Sequence, residues 1–248
     1  MSAAPRNSRT PFLAVFALAA ALAGAGAQAG EPQPQGLYLG EVGPGNAVLV
    51  SLKPGAVADG ARGPAIQGEY HYARGWSPDI LALSGEVGSA RRLVLRETLV
   101  DTHDRPVRTG TFRGHLAADA SAISGTWSSA DGRRQLPFHL ARAAQWTSQS
   151  VKADGGVRSC ERPQFSDPRY AKVNRELAEA CDYFLADGAQ GPGTLSLAID
   201  SLGQYMVAAV AYATTQGREL PPEVIAIDLG SDAPAMPDPT IRAVAVRP

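Results

Sequence analysis

The chain has 248 residues, with 23 Lys and Arg against 24 Asp and Glu and a formal net charge of −1. An apolar share of 44% is ordinary for a globular fold and indicates neither a disordered chain nor a membrane barrel. A balance this close to neutral argues against nucleic acid as a partner.

Arg6 and Arg9 precede an apolar run from Phe12 to Leu22 and small residues that include Ala27-Gln28-Ala29. This pattern is expected to be a secretory signal peptide over residues 1–29, cleaved after Ala29. The run is shorter than the roughly 18 residues a membrane-spanning helix needs. Cleavage would leave 21 basic side chains against 24 acidic ones, a net −3. The expected location is the periplasm or the exterior of a cell. Cys160 and Cys181 are the two cysteines, and in an oxidising compartment they are expected to form one disulfide. Closing a loop of about 20 residues would stabilise the fold by about 3 kcal/mol in the chain-entropy model. With no CxxC spacing and no histidine after His139, no thiolate metal site is expected.

After a polar linker at residues 30–36, runs of period-two alternation occupy Leu37 to Val42, Ala47 to Lys53, Ala65 to Tyr72, Ile80 to Val87 and Arg91 to Val100. The stretch from Gly110 to Leu140 adds three more, read as a β-meander with an Asp131-Gly132 turn. Glycine recurs two positions before a bulky residue in Gly40-Glu41-Val42, Gly68-Glu69-Tyr70, Gly85-Glu86-Val87, Gly110-Thr111-Phe112 and Gly125-Thr126-Trp127. Small and large inward residues alternate in this way inside a small, strongly coiled barrel. The expectation is a mainly β protein: an eight-stranded up-and-down barrel, or a curled meander, over residues 37–142. Pro137 cannot donate to a ladder and is expected to leave a gap beside the eighth strand. The inward set is Tyr38, Val42, Val48, Val50, Leu52, Ile66, Tyr70, Tyr72, Leu81, Leu83, Leu93, Leu95, Phe112, Leu116, Ile123, Trp127, Leu136, Phe138 and Leu140.

Residues 143–158 are polar and glycine-containing and read as a second linker. Residues 159–248 then form a small α+β unit. Ser166-Asp167-Pro168 starts a helix that carries Tyr170, Val173, Leu177, Cys181 and Phe184 at helical spacing and stops by Gly188. Strands follow at Thr194 to Ile199, Tyr205 to Tyr212 and Val224 to Leu229, with a last one at Ile241 to Val246 after the proline-rich stretch Pro234 to Pro239. A helix on a small antiparallel sheet is the economical arrangement.

Chemistry-bearing residues form no persuasive set. His71, His115 and His139 fall at outward parity and His103 in a loop; His115 and His139 sit on strands separated by a third, about 9–10 Å apart, too far to share an ion. Asp200-Ser201-Leu202-Gly203 lacks the leading glycine of a nucleophile elbow. Glu41, Glu69 and Glu86 form an outward row, the pattern of a solvated face. Tyr70, Tyr72, Trp127 and Phe138 are candidates to wall a ligand pocket at the barrel mouth, or they fill the core. No catalytic residue, cofactor or metal is expected.

The Gly-Thr-Phe and Gly-Thr-Trp strands, the Asp131-Gly132 turn and Leu136-Pro137-Phe138 resemble a small bacterial envelope module. That module precedes a domain related to the lysozyme-sensing region of extracytoplasmic anti-sigma factors. Pro163-Gln164-Phe165, Val173-Asn174 and Ile227-Asp228-Leu229 resemble parts of that partner domain. Where the related domains carry a His-Pro turn, this chain has Gly217-Arg218-Glu219-Leu220-Pro221-Pro222, which implies an abbreviated second domain. The resemblance implies a non-catalytic envelope protein that binds another macromolecule, such as a lysozyme-like enzyme or another envelope protein. The alternative reading is a carrier that holds a small apolar ligand in the barrel mouth.

Overall fold

The computed structural model describes residues 33–55, 65–72, 81–100, 105–186, 191–202 and 205–230. The expected signal peptide, His103 and the expected strand at Ile241 to Val246 lie outside these residues. The first eight strands are β1 (Gly36–Val42), β2 (Ala47–Pro54), β3 (Ala65–Tyr72), β4 (Leu81–Gly88), β5 (Arg92–Val100), β6 (Pro106–Leu116), β7 (Ala122–Ser129) and β8 (Gln135–Ala153). Each pairs antiparallel with the next, and β8 returns to β1 from Leu37↔Ala144 to Val42↔Phe138, which closes the barrel.

No gap opens at Pro137. Its carbonyl accepts from the Gly43 N–H at 2.7 Å, so its backbone polar groups face the β1 side, where the ladder has already ended at Val42↔Phe138. The missing N–H therefore costs no bond to β7.

The repeated glycines lie where neighbouring backbones come too close for a side chain. A Cβ on Gly40 would sit 1.9 Å from the His139 carbonyl oxygen, and one on Gly85 1.9 Å from that of Val94. The bulky residue two positions on, Val42 or Val87, fills the interior instead. Of the expected inward set, every member but Tyr72 belongs to this core or packs against it, and Val87 and Ala120 join them. At the Asp131-Gly132 turn only the glycine has positive φ, at +71°. Asp131 braces the turn by accepting from Ser129 Oγ at 2.6 Å and the Arg133 N–H at 3.1 Å, and these bonds hold its carboxyl below the usual carboxylate range.

The expected linker at 143–158 is instead a β-hairpin. β8 runs on to Ala153 and, from Ala144 onward, pairs with β9 (Gly156–Phe165). The ribbon is polar because much of its length is exposed, and polarity alone does not distinguish a protruding hairpin from a linker. The described residues, 33 to 230, accordingly form one compact unit. Two bonds to Asn174 pin the end of β9 to helix α1 (Ala171–Ala186): Phe165 N–H to Oδ1 at 2.8 Å and Nδ2 to the Phe165 carbonyl at 2.9 Å. The helix buries Val173, Leu177, Cys181 and Leu185, and Cys181 is bonded to Cys160 of β9 with 5.6 Å between Cα atoms.

Strands β10 (Gly193–Leu202), β11 (Met206–Thr215), β12 (Arg218–Glu219) and β13 (Glu223–Asp228) complete the second part. The sheet is mixed rather than antiparallel, since α1 carries the chain across from β9 to a parallel β10; a helix between two neighbouring strands permits that direction. β11 is central, between β10 and β13. Leu195, Leu197, Ile199, Val207, Ala209 and Ile227 join the helix in a second core, which also takes Leu37 and Leu49 from the barrel's outer wall.

Candidate functional site

Two surfaces carry residues whose placement packing alone does not demand. The first lies at the barrel end where β3 and β5 finish. In β5, Leu93 and Leu95 point inward, and the next residue at that parity is Glu97, only 2% exposed. One carboxylate oxygen, Oε2, accepts from the Tyr70 hydroxyl at 2.6 Å and from Trp127 Nε1 at 2.7 Å. Two features of β6 make room for this arrangement. Its register against β5 passes from Glu97↔Gly110 to Thr98↔Arg108, so Thr109 is an extra residue in a bulge. A Cβ on Gly110 would lie 2.4 Å from Trp127 Nε1, so glycine is what lets the indole reach the carboxylate.

The four expected pocket residues gather in this half of the barrel, but mostly as core. Tyr70, Trp127 and Phe138 are buried, and Tyr72, 38% exposed, stands at the rim. Edge-to-face contacts link Tyr72, Tyr70, Phe112 and Phe138 in sequence, with centroids 5.7, 5.7 and 5.1 Å apart. Burial first, then the bond to Glu97 and its charge, raise the Tyr70 phenol well above its usual value. It therefore stays a hydrogen-bond donor at physiological pH. Toward the other end, the Tyr38 hydroxyl donates to the Ala120 carbonyl at 2.9 Å, and burial pushes its pKa up to about 12.

The second surface is the face of β10, β11 and β13 turned away from α1. Ser196 and Tyr212 are directly paired, as are Ala198 and Val210, Val210 and Val224, and Ala208 and Ala226. Side chains of directly paired residues share a face, so these form one small apolar field. Tyr212 is 50% and Val224 70% exposed there. Partial burial raises the Tyr212 phenol, and the nearby charges of Glu69 on β3 and Asp200 on β10 raise it further. Two carboxylates, one from each part of the molecule, therefore act on the Tyr212 phenol, and Lys53 reaches Ser196 of the same field.

A polar strap joins those parts. Lys53 of β2 pairs with Glu161 of β9 at 2.6 Å, donates to Ser196 Oγ at 3.4 Å and lies 4.3 Å above the Trp146 ring. Trp146 in turn donates to the Leu52 carbonyl at 2.9 Å. Behind α1, buried Arg158 bonds the Phe184 and Gly191 carbonyls at 3.0 and 3.1 Å.

Other residues singled out in the sequence are not gathered into a site. His115 and His139 both pair with Ser124, with β7 between them. Among the described residues no three metal-ligating side chains cluster. Ser201 is exposed at the end of β10, next to the irregularity that leaves Asp200 unpaired in register. A shallow groove of about 190 Å³ lies between Leu39, Ala141 and the Ser166–Tyr170 turn. Its cations are already engaged: Arg169 with Asp167 at 2.6 Å, Arg142 with the Asp119 carbonyl at 3.3 Å.

Sequence reading missed Glu97 and the Tyr212 field, although parity marks both. Glu97 continues the count from Leu93 and Leu95. The nearly continuous apolar run in β11 divides into Val207 and Ala209 on the helix side and Ala208, Val210 and Tyr212 on the other. No family model, curated protein or solved structure matches the chain.

Proposed function

We propose that the protein is a non-catalytic, exported envelope protein that binds a basic macromolecule on the free face of its second sheet, and that a lysozyme-like enzyme is the first partner to try. The observation that carries this reading is the half-exposed Tyr212 in an apolar field with Glu69 and Asp200 at its margin. An aromatic anchor ringed by charge is the usual anatomy of a protein-binding hot spot, and carboxylates at its edge select for a basic partner. The short motifs shared with envelope modules that accompany a lysozyme-sensing domain supply the partner class. A mature charge of −3 is too small to steer association over long range, so the selectivity is local to this face.

Surface plasmon resonance of lysozyme over the immobilised chain spanning residues 30–248, together with capture from envelope extract, tests this. Tyr212→Ala should weaken the bound partner about tenfold or more, the scale of an aromatic hot spot, and added salt should weaken it further. Equal capture by the parent and by Tyr212→Ala and Val224→Asp variants would reject the surface. A small molecule that co-purifies with the parent and is lost on Tyr72→Ala would favour the barrel-mouth carrier instead.

A further inference from the structure

The outer wall of the barrel has a charge pattern of its own where β5 pairs with β6. Leu93 and Leu95 of β5 and Phe112 and Leu116 of β6 turn inward, so the residues of opposite parity turn out. The outward pairs are, in order, Arg92↔His115, Val94↔Arg113, Arg96↔Thr111 and Thr98↔Arg108. Each pair holds one arginine, taken from β5, β6, β5 and β6 in turn, and all four arginines are exposed. Successive pairs stand two residues apart, a step of about 7 Å along the strands. Diagonal neighbours across a ladder lie about 7–8 Å apart, so the four arginines follow one line down the wall.

Among the described residues this line has no counter-charge. Arg92, Arg96 and Arg113 take part in no ion pair, and Arg108 donates to the Thr111 hydroxyl at 2.6 Å, an uncharged acceptor. Glu86 of β4, opposite Val94, is half-buried and pairs with none of them. Like charges at this spacing repel, whereas protein surfaces normally intersperse both signs. Hydroxyls border the line on both sides. Ser124, Thr126 and Ser128 of β7 stand opposite His115, Arg113 and Thr111, and Ser84 of β4 stands opposite Arg96.

We propose that this wall binds a linear acidic polysaccharide, with its carboxylates along the arginines and its hydroxyls against the serines and threonines. A guanidinium gives a carboxylate two parallel hydrogen bonds, and a serine or threonine hydroxyl, which both donates and accepts, matches a sugar hydroxyl. The four outward pairs and the β7 row carry no Phe, Tyr or Trp, and so lack the stacking platforms that single-stranded nucleic acid uses. Val94, half-buried, is the one apolar side chain in those pairs, which leaves nothing to enter a lipid surface. The line is about 20 Å long, so an extended chain of several sugars spans it. This site is distinct from the free face of the second sheet. β5 and β6 stand across the barrel from β1 and β2, whose Leu37 and Leu49 enter the second core.

Isothermal titration calorimetry of the chain spanning residues 30–248 with size-defined oligogalacturonate tests the proposal. Binding should saturate and weaken with added salt. Arg96→Ser with Arg113→Ser should weaken it about tenfold or more, the scale of losing charge-assisted hydrogen bonds. Lys152→Ser with Arg175→Ser, which removes the same charge elsewhere, should leave it unchanged. The urea midpoint of the Arg96 and Arg113 variant should hold or rise, because a repulsion is removed. Tyr212→Ala should bind oligogalacturonate as the parent does, so failure here and failure of the protein-binding reading are separable. Absent binding, or equal losses from the two charge-matched pairs, would overturn the proposal. So would a lowered urea midpoint, or tighter binding to a single-stranded oligonucleotide or to phosphatidylglycerol vesicles than to oligogalacturonate.

Discussion

The two parts of the molecule solve the same problem, an apolar sheet in water, in opposite ways. The barrel closes on itself, so every one of its strands has two neighbours and its large side chains fill their own interior. Among the described residues the second sheet stays open, with α1 covering one face, β13 at its end and Tyr212 and Val224 left in solvent. Closure leaves the barrel's apolar side chains turned into its own interior. The open sheet keeps both a face and an edge, and for that reason the binding reading is placed there. The barrel is nonetheless not self-sufficient, since Leu37 and Leu49 point out of it into the second core.

The sharpest break of this comparison is Gly85→Val. The nearest atom to its Cβ would be the Val94 backbone at 1.9 Å, which cannot move without opening the β4–β5 ladder. We expect a loss of about 4 kcal/mol or failure to accumulate folded protein, read from soluble yield and the urea midpoint. Gly217→Ala, at a hairpin tip with no neighbour within 4 Å and φ of +74°, should cost only about 1 kcal/mol.

Next comes the pair Cys160→Ser and Cys181→Ser, expected to cost about 3 kcal/mol. If barrel and sheet melt as one body, tryptophan fluorescence from Trp127 and Trp146 will shift to the same lower midpoint. Two separated transitions would show that the parts are energetically distinct.

Glu97→Leu should cost about 2 kcal/mol more than Glu97→Gln by chemical denaturation, because leucine leaves the Tyr70 hydroxyl and the Trp127 N–H buried without an acceptor. Equal losses would mean that another group satisfies those donors.

The buried phenols set an alkaline limit. Tyr38 ionises at about 12 when folded and near 10 when unfolded, so its contribution is complete below about pH 10. Above that the unfolded chain binds fewer protons, and the contribution, roughly 3 kcal/mol, is lost as pH rises through 12. The part of the tyrosinate absorbance that is lost in a Tyr38→Phe variant should therefore appear together with unfolding. Gradual ionisation of Tyr38 in a chain that remains folded would count against its burial.

Lys53→Met should have the smallest effect, about 0.5 kcal/mol, because the ion pair with Glu161 is partly solvated and methionine keeps the contact with Trp146. Urea midpoints at low and high salt would differ for the parent and coincide for the variant.

How much of this was legible follows from what each residue must satisfy. Alternation located the barrel strands because a closed sheet imposes one strict inside, and a single apolar residue per turn of the pleat suffices to mark it. Pro137 misled because the rule against a ladder proline considers the strand and not the side to which its nitrogen points. Residues 143–158 misled more seriously: they hold Asp154-Gly155, the same turn signal that was read correctly at Asp131-Gly132, and Gly155 has φ of +81°. Between Ala144 and Arg158 the two strands add no side chain to either core, so no apolar alternation was available there to support the signal. The parallel step from β9 to β10 was hidden for a related reason. A strand paired with a polar ribbon on one side and a covered sheet on the other shows neither clean alternation nor a continuous apolar run. Glu97 was visible in the parity count of β5 and was missed because a carboxylate is not expected inside a barrel.

β8 is nineteen residues long and belongs to both ladders, to β7 and β1 through its first half and to β9 through its second. That continuity makes it a mechanical member as well as a wall. A pull delivered through the β9 hairpin along the axis of β8 loads its bonds to β1 and β7 in parallel, so that many must yield together; a pull across the axis would open them one at a time. Lys53 and Trp146 brace the joint from the side. Any partner held on the second sheet is thereby tethered to the barrel through the stiffest direction a β-strand has.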